Sequence, residues 1–193
     1  VVDTVESKDN INKAYNLIST SKVRNEMIID DVITCVARKQ TPVILTRFKE
    51  HAKFLHDALK EKADHVFLLY GDNSDKENTE IRVKLKQIPE NESLILVATG
   101  QKIGEGFDFP RLDVLMLAAP VSFEGRLEQY VGRLNRDYVG KEAVYVYDYI
   151  DSHVRYFDKM YAKRLRTYRK TGFSIWTQEL QPKQIINAIF DSV

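Results

Sequence analysis

Apolar residues in the first forty positions recur at helical spacing: Ile11, Ala14, Leu17 and Ile18, then Ile28, Ile29, Val32, Ile33 and Val36. This spacing predicts helix over residues 9–40, with Cys35 in or near the core. Beyond residue 41 the pattern changes, and short apolar runs rich in β-formers alternate with amphipathic stretches. Strands are predicted at 42–46 (PVILT), 66–70 (VFLLY), 93–98 (SLILVA), 113–118 (DVLMLA) and 142–149, and helices at 50–61, 75–88 and 124–134. Strands separated by helices of this length require crossover connections. The expected fold class is therefore α/β, a parallel sheet with helices on both faces. Only 72–78 and 90–92 read as exposed polar loops.

From residue 151 the chain turns helical again and strongly basic. Between 151 and 172 there are seven Lys or Arg (155, 159, 163, 164, 166, 169, 170) against two Asp (151, 158). The expected organisation is a helical N-terminal extension at 1–40, a central domain at 41–151 and a helical basic extension at 152–193. At 193 residues and 44% apolar content, the chain can bury one good core. Twenty-nine basic residues against 28 acidic ones leave a net charge of +1, which confines any surface for a polyanion to local patches. The single cysteine excludes an internal disulfide and a cysteine-based metal site. Nothing resembles a signal peptide or a membrane span, so the expected setting is soluble, cytoplasmic and reducing, with no membrane partner.

In an open parallel sheet, ligands collect beyond the carboxyl ends of the strands. That rule selects Thr46 and Arg47, Gly71 and Asp72, Thr99 and Gly100, and Ala119 and Pro120. The turn from Thr99 to Pro110 (TGQKIGEGFDFP) carries three glycines within seven residues, which lets backbone N–H groups approach a phosphate. It is not a dinucleotide fingerprint: the third glycine is missing, and Pro110 stands where a helix should open. A glycine-rich turn without ligand is the plain alternative. Further along, Gln129, Arg133 and Arg136 share one helical face. Gly132 among them costs roughly 1 kcal/mol relative to Ala inside a helix, which hints at close approach by a backbone or a ligand. Two arginines alone would more simply be a solvated face, but this helix follows a strand end, where a site is expected.

Thr99-Gly100 with Gly104-Glu105-Gly106-Phe107-Asp108-Phe109-Pro110, then Gln129-x-x-Gly132-Arg133-x-x-Arg136, resembles motifs V and VI of superfamily 2 helicases. The DEAD/DEAH-type branch that includes restriction-enzyme translocating subunits is the nearest in pattern. Pro42-Val-Ile-Leu-Thr46-Arg47 is similar to motif IV, and Leu69-Tyr70-Gly71 to the strand end after it. The resemblance spans 41–151. It implies a RecA-like C-terminal motor domain facing an N-terminal RecA-like domain of the same protein, with ATP and Mg2+ in the cleft and nucleic acid across the tops. DNA is favoured over RNA as the track. Arg133 and Arg136 would act as arginine fingers on the γ-phosphate. Gln129 would position the phosphate or the attacking water. Gly104, Glu105, Gly106 and Asp108 would line the nucleotide side, and Thr46, Arg47, Gly71, Thr99 and Gly100 would touch the nucleic-acid backbone.

No G-x-x-x-x-G-K-[ST] sequence occurs in the chain, so ATP and Mg2+ would be held mainly by the first motor domain, and this chain alone is expected to be inactive. A different class of reading is a non-catalytic nucleic-acid-binding or interaction module with a helicase-like fold; Gln129 with both arginines favours the motor. The aromatics within 155–176 suit either strand stacking or an amphipathic helix that packs Tyr161, Leu165 and Tyr168 inward with its cations in water. Helix spacing favours the latter. The four histidines lie outside metal-ligand spacing, and His51 and His56 are expected as surface or cap residues.

Overall fold

A computed structural model describes residues 8–70, 74–100, 109–121, 130–132, 141 and 143–178. Helices α1 (Lys8–Thr20) and α2 (Lys22–Ala37) come first, followed by β1 (Pro42–Thr46), α3 (Lys49–Leu59), β2 (His65–Leu69), α4 (Asp75–Gln87), β3 (Leu94–Thr99), β4 (Val114–Leu117), β5 (Tyr145–Asp148) and α5 (Arg155–Lys170). The strands form one sheet in the order β2-β3-β1-β4-β5, every pairing parallel, with Thr46 beside Thr99 at one end of the register. This is the parallel α/β sheet expected from the alternation of strands and helices, and it has the RecA-like form that the helicase resemblance implies.

Period-two alternation sorts the strand side chains onto two faces. Val43, Leu45, Leu94, Leu96, Ala98, Leu115 and Leu117 belong to one buried cluster, with Leu85 of α4, Tyr130 and Tyr168 of α5. Ile44, Ile95, Val97, Val114 and Met116 belong to the other, with Ile28, Val32 and Cys35 of α2 and Ala52, Leu55 and Leu59 of α3. The three central strands are buried on both faces, which is why they read as unbroken apolar runs.

The N-terminal helical stretch is two helices. Ser21 interrupts it as the N-cap of α2, its side chain accepting from the Arg24 N–H at 3.5 Å. The break turns α1 so that Tyr15 and Ile18 pack inward with Phe157 and Met160, and Leu17, expected on the apolar stripe, stands 71% exposed. α2 covers this face of the sheet with Ile28, Val32 and Cys35, alongside Ala52, Leu55 and Leu59 of α3.

α2 and α5 both end in a Schellman turn. Gln40 N–H donates to Cys35 and Lys39 N–H to Val36 in the first; Phe173 N–H donates to Tyr168 and Gly172 N–H to Arg169 in the second. The left-handed position is Lys39 (φ 62°) in one and Gly172 (φ 83°) in the other.

α5 is amphipathic, and Tyr168 is buried as expected, but Tyr161 and Leu165 are only half-buried. Phe157, Met160, Arg164, Thr167 and Tyr168 face inward, one step round from Tyr161 and Leu165, and Arg164 does not stay in water. A buried aspartate at the end of β5 pays for that arginine's desolvation.

Candidate functional site at the carboxyl edge of the sheet

At the end of β1, Thr46 is 4% exposed and Arg47 faces solvent. The Thr46 hydroxyl lies 2.6 Å from His51 Nδ1, and His51 Nε2 lies 2.8 Å from Asn25 Oδ1. Asn25 donates its amide to the Ser19 carbonyl at 2.9 Å, which leaves its oxygen to accept. The imidazole therefore carries its proton on Nε2, and Nδ1 accepts from Thr46. Burial, aided by the Arg24 charge, lowers the His51 pKa to about 4, so the ring is neutral and the relay is fixed. His51 is thus a buried link between α2 and the β1 end, not the surface residue expected, because the α3 face that carries it turns onto α2. His56 is half-buried on the same helix, with Nδ1 3.1 Å from the Asp57 carboxylate. The Thr46 hydroxyl proton is committed inward. The outward-facing group of this pair is the Arg47 guanidinium, which stacks on the Tyr15 ring at 4.3 Å.

At the end of β2, Lys53 sits 5.2 Å over the Tyr70 ring; Gly71 lies outside the described residues. At the end of β3, Thr99 is buried and Gly100 half-buried, and the Gly100 carbonyl accepts from the Tyr130 hydroxyl at 2.5 Å. Tyr130 and Val131 are buried in the first cluster, while Gly132 is exposed. A Cβ at Gly132 meets nothing within 4 Å among the described residues, so the close approach suggested by a helix glycine is not made by them. Gly104, Glu105, Gly106, Asp108, Gln129, Arg133 and Arg136 all lie outside the described residues.

The exit of β4 is held by three side chains from three helices. Arg24 Nη1 of α2 donates to the Ala118 carbonyl at 2.6 Å, Tyr15 of α1 to Pro120 at 2.9 Å, and Arg164 Nη1 of α5 to Val121 at 2.9 Å. Each arginine is itself gripped by a carboxylate at or beyond the end of β5. Arg24 pairs with both oxygens of Asp151 at 3.1 Å, and Arg164 with those of Asp148 at 2.7 and 2.8 Å. Tyr168 adds a hydrogen bond to Asp148 at 2.9 Å. Two-point guanidinium–carboxylate geometry fixes direction as well as distance. The backbone from 118 to 121, which leads toward Gln129 and the arginines, is therefore pinned from both faces of the sheet.

The sequence carried a signal for these residues that periodicity alone passes over. Arg24 stands at the head of the stripe Ile28, Val32, Cys35, and Arg164 stands among Phe157, Met160 and Tyr168. An arginine in phase with an apolar stripe, with an aspartate near a strand end to receive it, marks a buried pair.

The model of the helicase conserved C-terminal domain matches residues 24–137. The transcript termination protein A18 of Yaba-like disease virus is 32% identical over 120 residues, which cover 61% of this chain and 24% of that protein. Among solved structures, T4 UvsW superposes with a TM-score of 0.63 at 22% identity, over 87% of this chain and 36% of that one. Domain 2 of the DEAD-box helicase Mss116p, bound to an RNA duplex, superposes with a TM-score of 0.60 at 17% identity, over 90% of this chain and 65% of that one. These likenesses concern the fold, and the chain spans about a quarter of the length of the A18 relative.

Proposed function

Because this chain belongs to the helicase conserved C-terminal domain family, matched over residues 24–137, we propose that it is the second motor domain of an ATP-dependent nucleic-acid helicase or translocase. Arg133 and Arg136 reach across to an ATP site completed by an N-terminal RecA-like domain, with Gln129 orienting the phosphate or the water. ATP with Mg2+ is the cofactor the family implies. By sequence, the residues present fit the outer half of such a site: Arg133 and Arg136 would set two guanidiniums against the phosphates and the glycines at 104 and 106 would let backbone approach, while no G-x-x-x-x-G-K-[ST] sequence is present to cradle the β-phosphate. The bound nucleotide supplies a phosphoryl group whose transfer builds negative charge, and this chain contributes fixed positive charge against it.

The observation that carries this reading is the hydrogen bond from Tyr130 to Gly100. It sets Gly100, which precedes the glycine-rich stretch in sequence, against the residue that follows Gln129, and so supports the two stretches serving one site. Arg47 at the β1 end, together with Thr46, Gly71, Thr99 and Gly100, forms the backbone-contacting edge, with DNA the favoured track. Arg47 is the group there free to meet phosphate oxygens, since Thr46 spends its proton on His51.

The test uses the full-length protein with Arg133→Ala and Arg136→Ala made separately. ATP turnover stimulated by nucleic acid falls by roughly 10³- to 10⁵-fold while strand binding is kept. Unchanged turnover in both variants removes the finger assignment.

A further inference from the structure

α5 lies beyond the matched segment, and its inward side is spent on structure. Its contacts run along the carboxyl edge of the sheet: Phe157 meets the Tyr15 ring at 4.7 Å, Tyr15 reaches Met160 Sδ at 3.6 Å, and Arg164 and Tyr168 engage Asp148 at the end of β5. The helix therefore borders the edge where ligands of a parallel sheet collect. Its outward side is basic. Arg155, Lys159, Lys163, Arg166 and Lys170 follow at spacings of four, four, three and four, with Arg169 beside them, all exposed. Asp158 is the one acidic residue of the helix. In a chain whose net charge is +1, this single face carries most of the local excess. The stripe is about 24 Å long at the helical rise.

Two neighbours extend it. At the N-terminal end, the exposed Arg47 guanidinium lies on the Tyr15 ring, which packs in turn against Phe157 in the first turn of α5, so the β1 end adjoins the start of the helix. At the C-terminal end, the Schellman turn at Gly172 stops the helix, Phe173 folds back 6.0 Å from Tyr168, and the chain runs outward with Ile175 41% and Trp176 92% exposed. An indole left almost wholly in water, six residues past the last of these cations, has a π face to offer, and the cations supply positive charge to hold a polyanion.

We infer that the outer face of α5, from Arg47 at one end to Trp176 at the other, is a second binding track for a single nucleic-acid strand, its cations following the phosphates and Trp176 stacking on a base. The inference rests on the motor reading for its choice of polyanion, and extends it to residues outside the helicase core. Charge complementarity along a line, closed by one exposed indole, suits a flexible single strand, whose bases are free to stack.

Trp176 is the sole tryptophan of the chain, so its fluorescence reports this site alone. Titration of the chain with oligothymidylate and, separately, oligouridylate quenches it saturably. Quenching by either strand supports the track, and the stronger one identifies the preferred sugar. The exposed triple variant Lys163→Glu, Arg166→Glu, Arg169→Glu binds at least tenfold more weakly, and its slope of log affinity against log salt shrinks by about 2, as loss of three phosphate contacts requires. Trp176→Ala, followed by anisotropy of a labelled strand, weakens binding about tenfold with the salt slope unchanged. Unchanged circular dichroism shows that each variant is folded. Absence of quenching, or a triple variant that binds like the parent, overturns the track. So does quenching by vesicles of anionic lipid with none by either strand. In the full-length protein, strand-stimulated ATP turnover that persists in a triple variant of undiminished strand affinity removes the track and leaves the motor standing. Quenching lost in the triple variant, with no ATP turnover in the parent, keeps the track and removes the motor.

Discussion

Tyr130 gives its hydroxyl proton to the carbonyl of Gly100, 2.5 Å away and thirty residues earlier in the chain. Tyr130→Phe keeps the ring in its cluster and deletes only that bond. Urea denaturation should show a loss of about 1 kcal/mol, the net worth of one intramolecular hydrogen bond. On the proposed reading, kcat for ATP in the full-length protein should fall more than strand affinity, because the bond joins the two stretches proposed to serve the nucleotide, whereas Gly100 is one of five residues proposed along the strand edge. Equal loss of both would show that Tyr130 supports only the fold.

The Arg164–Asp148 pair is 3% and 9% exposed at its side chains. Arg164→Met leaves a buried carboxylate without its cation and the Val121 carbonyl without its donor, and should cost roughly 3–5 kcal/mol in chemical denaturation. Adding Asp148→Leu to Arg164→Met should recover much of that loss, since the stranded charge is then gone. A single variant as stable as the parent would contradict the buried-pair account.

His51 makes stability depend on pH with a definite sign. Its folded pKa, lowered to about 4, lies below the ordinary value of 6.5, so the unfolded chain takes up the proton first as pH falls. The neutral-ring contribution is complete above pH 6.5, declines between 6.5 and 4, and is lost below, amounting to roughly 3 kcal/mol. Urea midpoints at pH 7 and pH 4.5 should separate widely in the parent and less in His51→Gln. An identical separation in the two would place the pH dependence elsewhere.

Lys39 and Gly172 occupy the same position of the same turn with opposite steric consequences. A side chain in the left-handed region costs roughly 1 kcal/mol that glycine does not incur. Lys39→Gly should therefore raise the thermal midpoint, and Gly172→Ala should lower it. The second site has open space for the added methyl, so its loss is conformational and not a clash.

The sheet was legible because each central strand is sealed on both faces, leaving runs such as PVILT and LILVAT with no polar interruption. Helix α4 was legible to within a residue: Ser74 and Glu77 close a capping box at its start, and Ile88 follows its end. Periodicity failed where a polar residue serves the core. Ser21 turned one predicted helix into two by capping the second, and so exposed Leu17. His51 reads as a surface histidine until Asn25 and Thr46, twenty-six residues before it and five before it, are brought to its two nitrogens. The apolar stripes flag Arg24 and Arg164 as inward-facing, but which aspartate receives each, Asp151 or Asp148, is decided by the sheet. These partners are set by tertiary placement, which no local window contains.

The three-point grip on the β4 exit also limits how the gene can be cut. A fragment trimmed to residues 41–151 would contain all five strands, yet it would discard Tyr15, Arg24 and Arg164 and strand the carbonyls of Ala118, Pro120 and Val121. Asp148 and Asp151 would each lose the arginine that pairs with it. A stable piece should therefore run from before Tyr15 to beyond Gly172, and helices that look like trimmings at either end are the walls against which the β4 exit is set.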